Sequence, residues 1–146
     1  FVYRIVNTVD SMVGYRTKMF KNLGWFGANC DSVLNVIPSR LTGLTMVLAS
    51  MLLGYDWKNC YTIFKRDGKN TESPNAGYPM AALAGALGTK LEKIEHYSLG
   101  TNQQEITLQK VKEGIRLMKV TSFLFFVIVS IPIILFISLM ESIFIA

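Results

Sequence analysis

Val120 to Ile137 reads VTSFLFFVIVSIPIILFI, a run without a charge that Ser138, Leu139 and Met140 extend to Glu141. An apolar helix of about twenty residues matches the thickness of a bilayer's hydrocarbon core. The stretch therefore predicts a transmembrane helix over 120–140, and with it a membrane protein. Pro132 is tolerable in such a span where neighbouring helices or Ser130 satisfy the carbonyl it frees. Upstream, Thr107 is placed to cap a helix in which Leu108, Val111, Ile115 and Met118 make an apolar stripe. Lys110, Lys112, Arg116 and Lys119 lie beside that stripe. Residues 105–119 thus read as an amphipathic helix at the membrane surface, running into the span.

The rest of the composition agrees. Of 146 residues, 51% are hydrophobic and 17% charged, which excludes disordered and collagen-like chains. The formal charge of +5 comes from basic residues spread along the chain, with no zinc-finger or RNP pattern. Lys and Arg that flank apolar segments mark cytoplasmic loops, so topology accounts for the charge and no nucleic-acid partner is expected. Cys30 and Cys60 are too few for a disulfide framework or a structural zinc site. His96 is the single histidine, so a Ser/His/Asp triad or histidine metal cluster has little to build on. The sequence opens at Phe1 on residues that resemble the tail of an earlier element, and the expectation is the later part of a longer protein.

Between the two ends lie three further regions. Residues 1–40 are polar, aromatic and basic, and Gly14, Gly24 and Gly27 favour short helices joined by turns. Val33 to Ile37 leads to Pro38, after which Ser39 can cap a new helix from Arg40; its run Leu41 to Leu53 is uncharged and ends at Gly54. At thirteen residues this run is short for a span, so 41–54 reads as a re-entrant or buried helix; counted from Ile37 to Tyr55, it can also cross a thin region. Residues 55–104 read as polar loop around a small-residue helix, where Gly77, Ala81 and Gly85 permit close approach of another helix or of a ligand. Residues 1–40 and 56–119 are both basic, and a shared cytoplasmic face for the polar motifs is the favoured arrangement. The fold class is all-α: a polytopic integral membrane protein with amphipathic and re-entrant helices and polar loops.

Three polar constellations can carry chemistry. Asn7-Thr8-Val9-Asp10 leads through Gly14 and Tyr15 to Arg16, joining a carboxylate able to hold Mg²⁺ to an arginine able to grip phosphate. A capped helix start with a solvated Arg16 accounts for the same residues. In Asp31-Ser32-Val33-Leu34-Asn35, the carboxylate and carboxamide share one helix face, and Arg40 follows beyond Pro38. Arg40 fits anion binding or snorkelling to the interface. Lys65-Arg66-Asp67 precedes Ser73-Pro74-Asn75-Ala76-Gly77-Tyr78-Pro79, a rigid loop before a helix whose free N–H groups suit an anion.

Taken together, NTVDSMVGYRTKMFKNLGWFGANCDSVLNVIPSRLTG and SPNAGYPMAALAGALG resemble the CobD/CbiB family of cobalamin biosynthesis. That family's motifs run approximately NT-x-D-x-M-x-GYR, D-x-x-N-x-IP-x-RLT and SPNAG-x-P, and all three occur here in order. The resemblance covers roughly the later half of the family pattern. It implies a polytopic adenosylcobinamide-phosphate synthase of the cell membrane, with motif loops on the cytoplasmic side. Such an enzyme forms an amide between a propionate of adenosylcobyric acid and aminopropanol phosphate or a related amino alcohol. The expected activation uses ATP with Mg²⁺, a carboxyl phosphate being the obvious intermediate. The implied partners are the corrinoid, the amino-alcohol phosphate, the lipid bilayer and the missing N-terminal half.

Within the motifs, Asp10 and Asp31 are the expected Mg²⁺ ligands. Arg16 and Arg40 are expected to clamp phosphate and stabilise the transferred phosphoryl group. Asn7, Asn35 and Asn75 suit substrate amides or ribose hydroxyls, with Tyr15 as a further substrate contact. Lys65 or Arg66 suits an anionic substrate. A non-catalytic membrane sensor of the AmpE type shares the general layout and is the alternative.

Overall fold

The computed structural model describes Thr8 and residues 29–101 and 104–145. Among these the chain is mostly helical. Helix α1, Val36–Leu52, follows a helical stretch over residues 29–34, so that Asn29–Leu52 forms one nearly continuous rod. This corrects the expected start near residue 40. Pro38 does not precede the helix but sits inside its first turn. With no N–H to give the Leu34 carbonyl, it loosens the rod at Asn35 without ending it. Ser39 is not a cap: its hydroxyl donates back to the Val36 carbonyl at 3.1 Å. The rod is long and apolar enough to cross a membrane, which a thirteen-residue helix is not.

Gly54, at φ +72°, turns the chain after α1, and Asp56 caps helix α2, Trp57–Asp67, by accepting from the Asn59 N–H at 2.9 Å. The polar reading of 55–104 missed α2. Its buried face is Cys60, Ile63, Phe64 and Asp67, spaced i, i+3, i+4 and i+7, while Lys58, Lys65 and Arg66 remain exposed. Helix α3, Gly77–Leu87, packs against both α1 and α2. Close packing explains its small residues: a Cβ at Gly85 would lie 2.7 Å from the Asn59 carbonyl oxygen and 2.8 Å from the Cys60 Cα. The Asn59 side chain donates to the Gly85 carbonyl at 2.7 Å across the same seam. Gly88, in the left-handed region, ends α3. A short antiparallel hairpin follows, β1 (Leu91–Lys93) and β2 (Tyr97–Leu99), with Leu91 opposite Leu99.

Helix α4, Leu108–Phe125, begins as expected with the Thr107 hydroxyl accepting from the Lys110 N–H, at 3.3 Å. It runs antiparallel to α1: Thr121 lies near Thr42, and Lys110 lies near Gly54. Gly114, Leu117 and Thr121 are its buried residues. The Leu108, Val111, Ile115 and Met118 stripe is exposed. A π-helical turn, Phe126–Ser130, joins α4 to helix α5, Ile131–Ile145, the Ile131 N–H reaching back five residues to Phe126. This wider turn precedes Pro132 and accommodates its missing donor locally. Leu108–Ser142 is the second rod long and apolar enough to cross a membrane, and no residue of its apolar window is buried. Among the described elements α5 touches only the π-turn. The core therefore lies in α1–α4, around Met46, Ala49, Cys60, Phe64, Tyr78, Ala82, Ala86 and Leu117.

Candidate functional site

The second and third sequence motifs meet where the first half of α1 passes the loop before α3. Asn75, 7% exposed, spans the junction. Its Nδ2 donates to the Ser32 carbonyl at 2.7 Å, and its Oδ1 accepts from Ser39 Oγ and Arg40 Nη1, each at 3.4 Å. Arg40 is half-buried. Its firmest hydrogen bond runs from Nη1 to the Val36 carbonyl at 2.8 Å; Nη2 reaches the Tyr78 hydroxyl at 3.4 Å. The guanidinium carbon stands 4.4 Å from the centre of the Tyr78 ring. One turn earlier, Asn35 Nδ2 donates to Asp31 through both its carbonyl and Oδ2, each at 3.0 Å, as the four-residue spacing predicts.

Arg40 has no carboxylate partner among the described residues. Val36 and Asn75 occupy Nη1, and Tyr78 takes one proton of Nη2. No described residue accepts from the Nε–H. A guanidinium donor left open in this way suits a phosphate or carboxylate oxygen.

The other basic candidates differ. Arg66 donates Nε and Nη2 to the two oxygens of Asp67, at 2.6 and 2.7 Å. Asp67 also accepts from the Gly100 N–H at 2.8 Å. The Arg66 hydrogen bonds, opposed by burial and aided by Gly100, hold the Asp67 carboxyl below the usual carboxylate range; the same contact raises Arg66. Arg66 thus helps tie the hairpin to α2. Lys65 is exposed on α2, and no described contact joins it to the Arg40 cluster. Burial pushes the Cys60 thiol up to about 11, as suits an inert core residue.

Asn7, Asp10, Tyr15 and Arg16 lie outside the described residues, so the first motif has no geometry here. Among the described residues no three His, Cys, Asp or Glu side chains gather to hold a metal ion. Mg²⁺ is satisfied by one or two carboxylates with phosphate oxygens and water, so Asp31 suits it as a single donor. Two cavities of about 350 and 300 Å³ lie between Thr42 and the π-turn and beside Gly54 and Gln104. Neither is lined by Arg40, Asn75 or Tyr78. The sequence reading missed Tyr78; its place directly after Asn75-Ala76-Gly77 in the third motif was the available signal.

The fold and this cluster define a mostly helical protein with two helices able to span a membrane, in which a buried carboxamide contacts an arginine that has no carboxylate partner among the described residues. The chain belongs to the CobD/Cbib protein family, which it matches over residues 1–139. It is 46% identical over 125 residues to the probable cobalamin biosynthesis protein CobD of Methanothermobacter thermautotrophicus, covering 86% of this chain and 42% of that protein. It is 39% identical over 132 residues to the cobalamin biosynthesis protein CobD of Clostridium perfringens, covering 85% and 42%. The likeness to the Geobacter metallireducens protein of that name is 51% over 89 residues, covering 61% and 28%. The chain thus spans about two-fifths of the length of the first two of these curated relatives. No solved structure matches it.

Proposed function

We propose that this chain supplies the motif-bearing part of a multi-pass membrane enzyme of cobalamin biosynthesis, with its polar motifs on the cytoplasmic side. The reaction is amide formation between a propionate of adenosylcobyric acid and the amine of aminopropanol phosphate or a related amino alcohol. A free carboxylate does not form an amide in water without activation, and ATP with Mg²⁺ supplies it. The observation that carries this reading is the pairing of motif order with geometry. Three motifs occur in the family's order, and Arg40 of the second touches Asn75 of the third.

In this reading Arg40 grips a phosphate through its open Nε–H, and Asn75 holds Arg40 and the backbone at Ser32 in place. Asp31 and Asp10 offer carboxylates to Mg²⁺, which neutralises phosphate charge when bound. Arg16 adds a second phosphate contact. Asn7, Tyr15 and Asn35 face substrate polar groups, and Lys65 contributes positive charge near an anionic substrate. The corrinoid and amino-alcohol phosphate are the small-molecule partners, and the N-terminal half of the family pattern, which this chain does not cover, completes the enzyme.

The test is an assay of the full-length protein in membranes with adenosylcobyric acid, aminopropanol phosphate and Mg-ATP, reading the product by mass. Arg40→Ala, Arg16→Ala and Asp10→Asn are each expected to lower turnover at least tenfold at matched abundance. Near-normal turnover in all three overturns the site. Corrinoid binding without ATP consumption or amide product favours a non-catalytic sensor instead.

A further inference from the structure

We infer that Tyr78 is a positioning residue for Arg40: its buried ring, under the guanidinium, holds the side chain where its Nε–H meets an incoming oxyanion. The inference rests on the reading of Arg40 as a phosphate clamp. Four groups from three helices stack in sequence. Gly43 of α1 leaves room for the Phe64 ring of α2, since a Cβ at that position would overlap the ring. Phe64 packs on Tyr78 of α3 with ring centres 5.3 Å apart and planes tilted by 57°. Tyr78 in turn faces Arg40, one turn before Gly43 on α1. Gly68 closes the slot, because a Cβ there would come within 2.5 Å of the Tyr78 ring.

Tyr78 is 8% exposed, so its ring has little freedom to turn. Tyr78 meets Arg40 through its ring face and through its hydroxyl, which accepts from Nη2 at 3.4 Å. Neither contact uses the Nε–H, so Tyr78 fixes the arginine and leaves that donor for a ligand. The hydroxyl contact is as long as that of Asn75 Oδ1 with Nη1, and the buried ring supplies the greater part of the hold.

The experiment compares Tyr78→Phe, Tyr78→Leu and Arg40→Ala in the full-length protein in membranes. Two measurements are made: steady-state kinetics, and the rate of Arg40 modification by phenylglyoxal followed by mass spectrometry. Losing a partly buried cation–π contact raises KM for the phosphate-bearing substrate roughly 3- to 30-fold in Tyr78→Leu. Arg40 in that variant is expected to react several-fold faster with phenylglyoxal. Tyr78→Phe keeps the ring and loses one long hydrogen bond, and is expected to change both measurements much less than Tyr78→Leu. Separate protection of Arg40 by Mg-ATP and by aminopropanol phosphate identifies which phosphate meets Arg40.

An unchanged Arg40 modification rate in Tyr78→Leu overturns the inference. So does a Tyr78→Phe variant as impaired as Tyr78→Leu, and that variant retains the packing needed to fold. A faster modification rate in Tyr78→Leu, with normal turnover in Arg40→Ala, leaves the positioning intact and overturns the clamp reading instead.

Discussion

Replacing Asp67 with Ala tests how the hairpin is fastened to the helical core. The carboxylate is 4% exposed and accepts three hydrogen bonds, two from Arg66 and one from the Gly100 N–H. Gly100 sits at φ +83°, with the Thr89 carbonyl and Ala84 where a Cβ would stand, so only glycine fits there. Leaving its part-buried N–H unpaired costs about 1–2 kcal/mol. The Arg66 side chain is 52% exposed and water can replace its partner, so the ion pair adds at most about 1 kcal/mol. Asp67→Ala is therefore expected to lose about 1–3 kcal/mol in denaturant unfolding of the detergent-solubilised protein. Amide exchange at residues 97–100 should accelerate with it. Asp67→Asn keeps an oxygen for Gly100 and should lose about half as much.

The pH dependence has a defined sign. Asp67's carboxyl lies lower in the folded protein than in the unfolded chain, where it titrates near pH ~3.9. Its stabilisation is complete above the unfolded value and disappears as pH falls through the lower folded one. Asp67→Asn should flatten that acid limb. An Asp67→Ala protein within about 0.5 kcal/mol of the parent would refute the reasoning, since that is the usual range for an unimportant surface change.

Gly85→Ala should destabilise by about 1–3 kcal/mol despite Ala's better helix propensity, because its Cβ meets backbone atoms of α2 that cannot step aside. Denaturant unfolding checks this, and a stabilised variant would contradict the seam. Asn75→Ala leaves the Ser32 carbonyl without its donor and Arg40 with a weaker hold. It should cost about 1–2 kcal/mol in unfolding and lower turnover more than tenfold. Cys60, buried with its thiol raised to about 11, should resist maleimide at pH 8 until the protein unfolds. Mass spectrometry of peptides labelled before and after denaturation reads the outcome.

The terminal apolar helix was legible because a long charge-free run has few alternative readings, and the Thr107 cap because its spacing to Lys110 is local. Helix α2 was not. Its buried face includes Asp67, whose charge makes the segment look polar until Arg66 and Gly100 are seen to satisfy it. Pro38 read as a boundary because its disruption falls four residues upstream, at Leu34 and Asn35, while the helix itself continues. In the candidate site, Arg40 and Asn75 were both recognisable by residue type. Their contact spans 35 positions and depends on α3 packing beside α1, which local periodicity does not encode. Tyr78 was hidden for a related reason. An aromatic next to a glycine reads as core, and only the neighbouring helix reveals that it carries a cation on its face.

The π-turn at Phe126–Ser130 acts as a one-residue insertion in an otherwise continuous rod. One residue advances a helix by about 100°, so the faces before and after the turn are out of phase. A stripe counted through Val111, Ile115 and Met118 therefore does not continue as one line into Ile133–Met140. The half that packs on α1 and the half that stands apart can change independently, each keeping its own periodicity. Removing one residue from 126–130 would bring the two halves into a single phase and turn every side chain of α5 by about 100° about the helix axis.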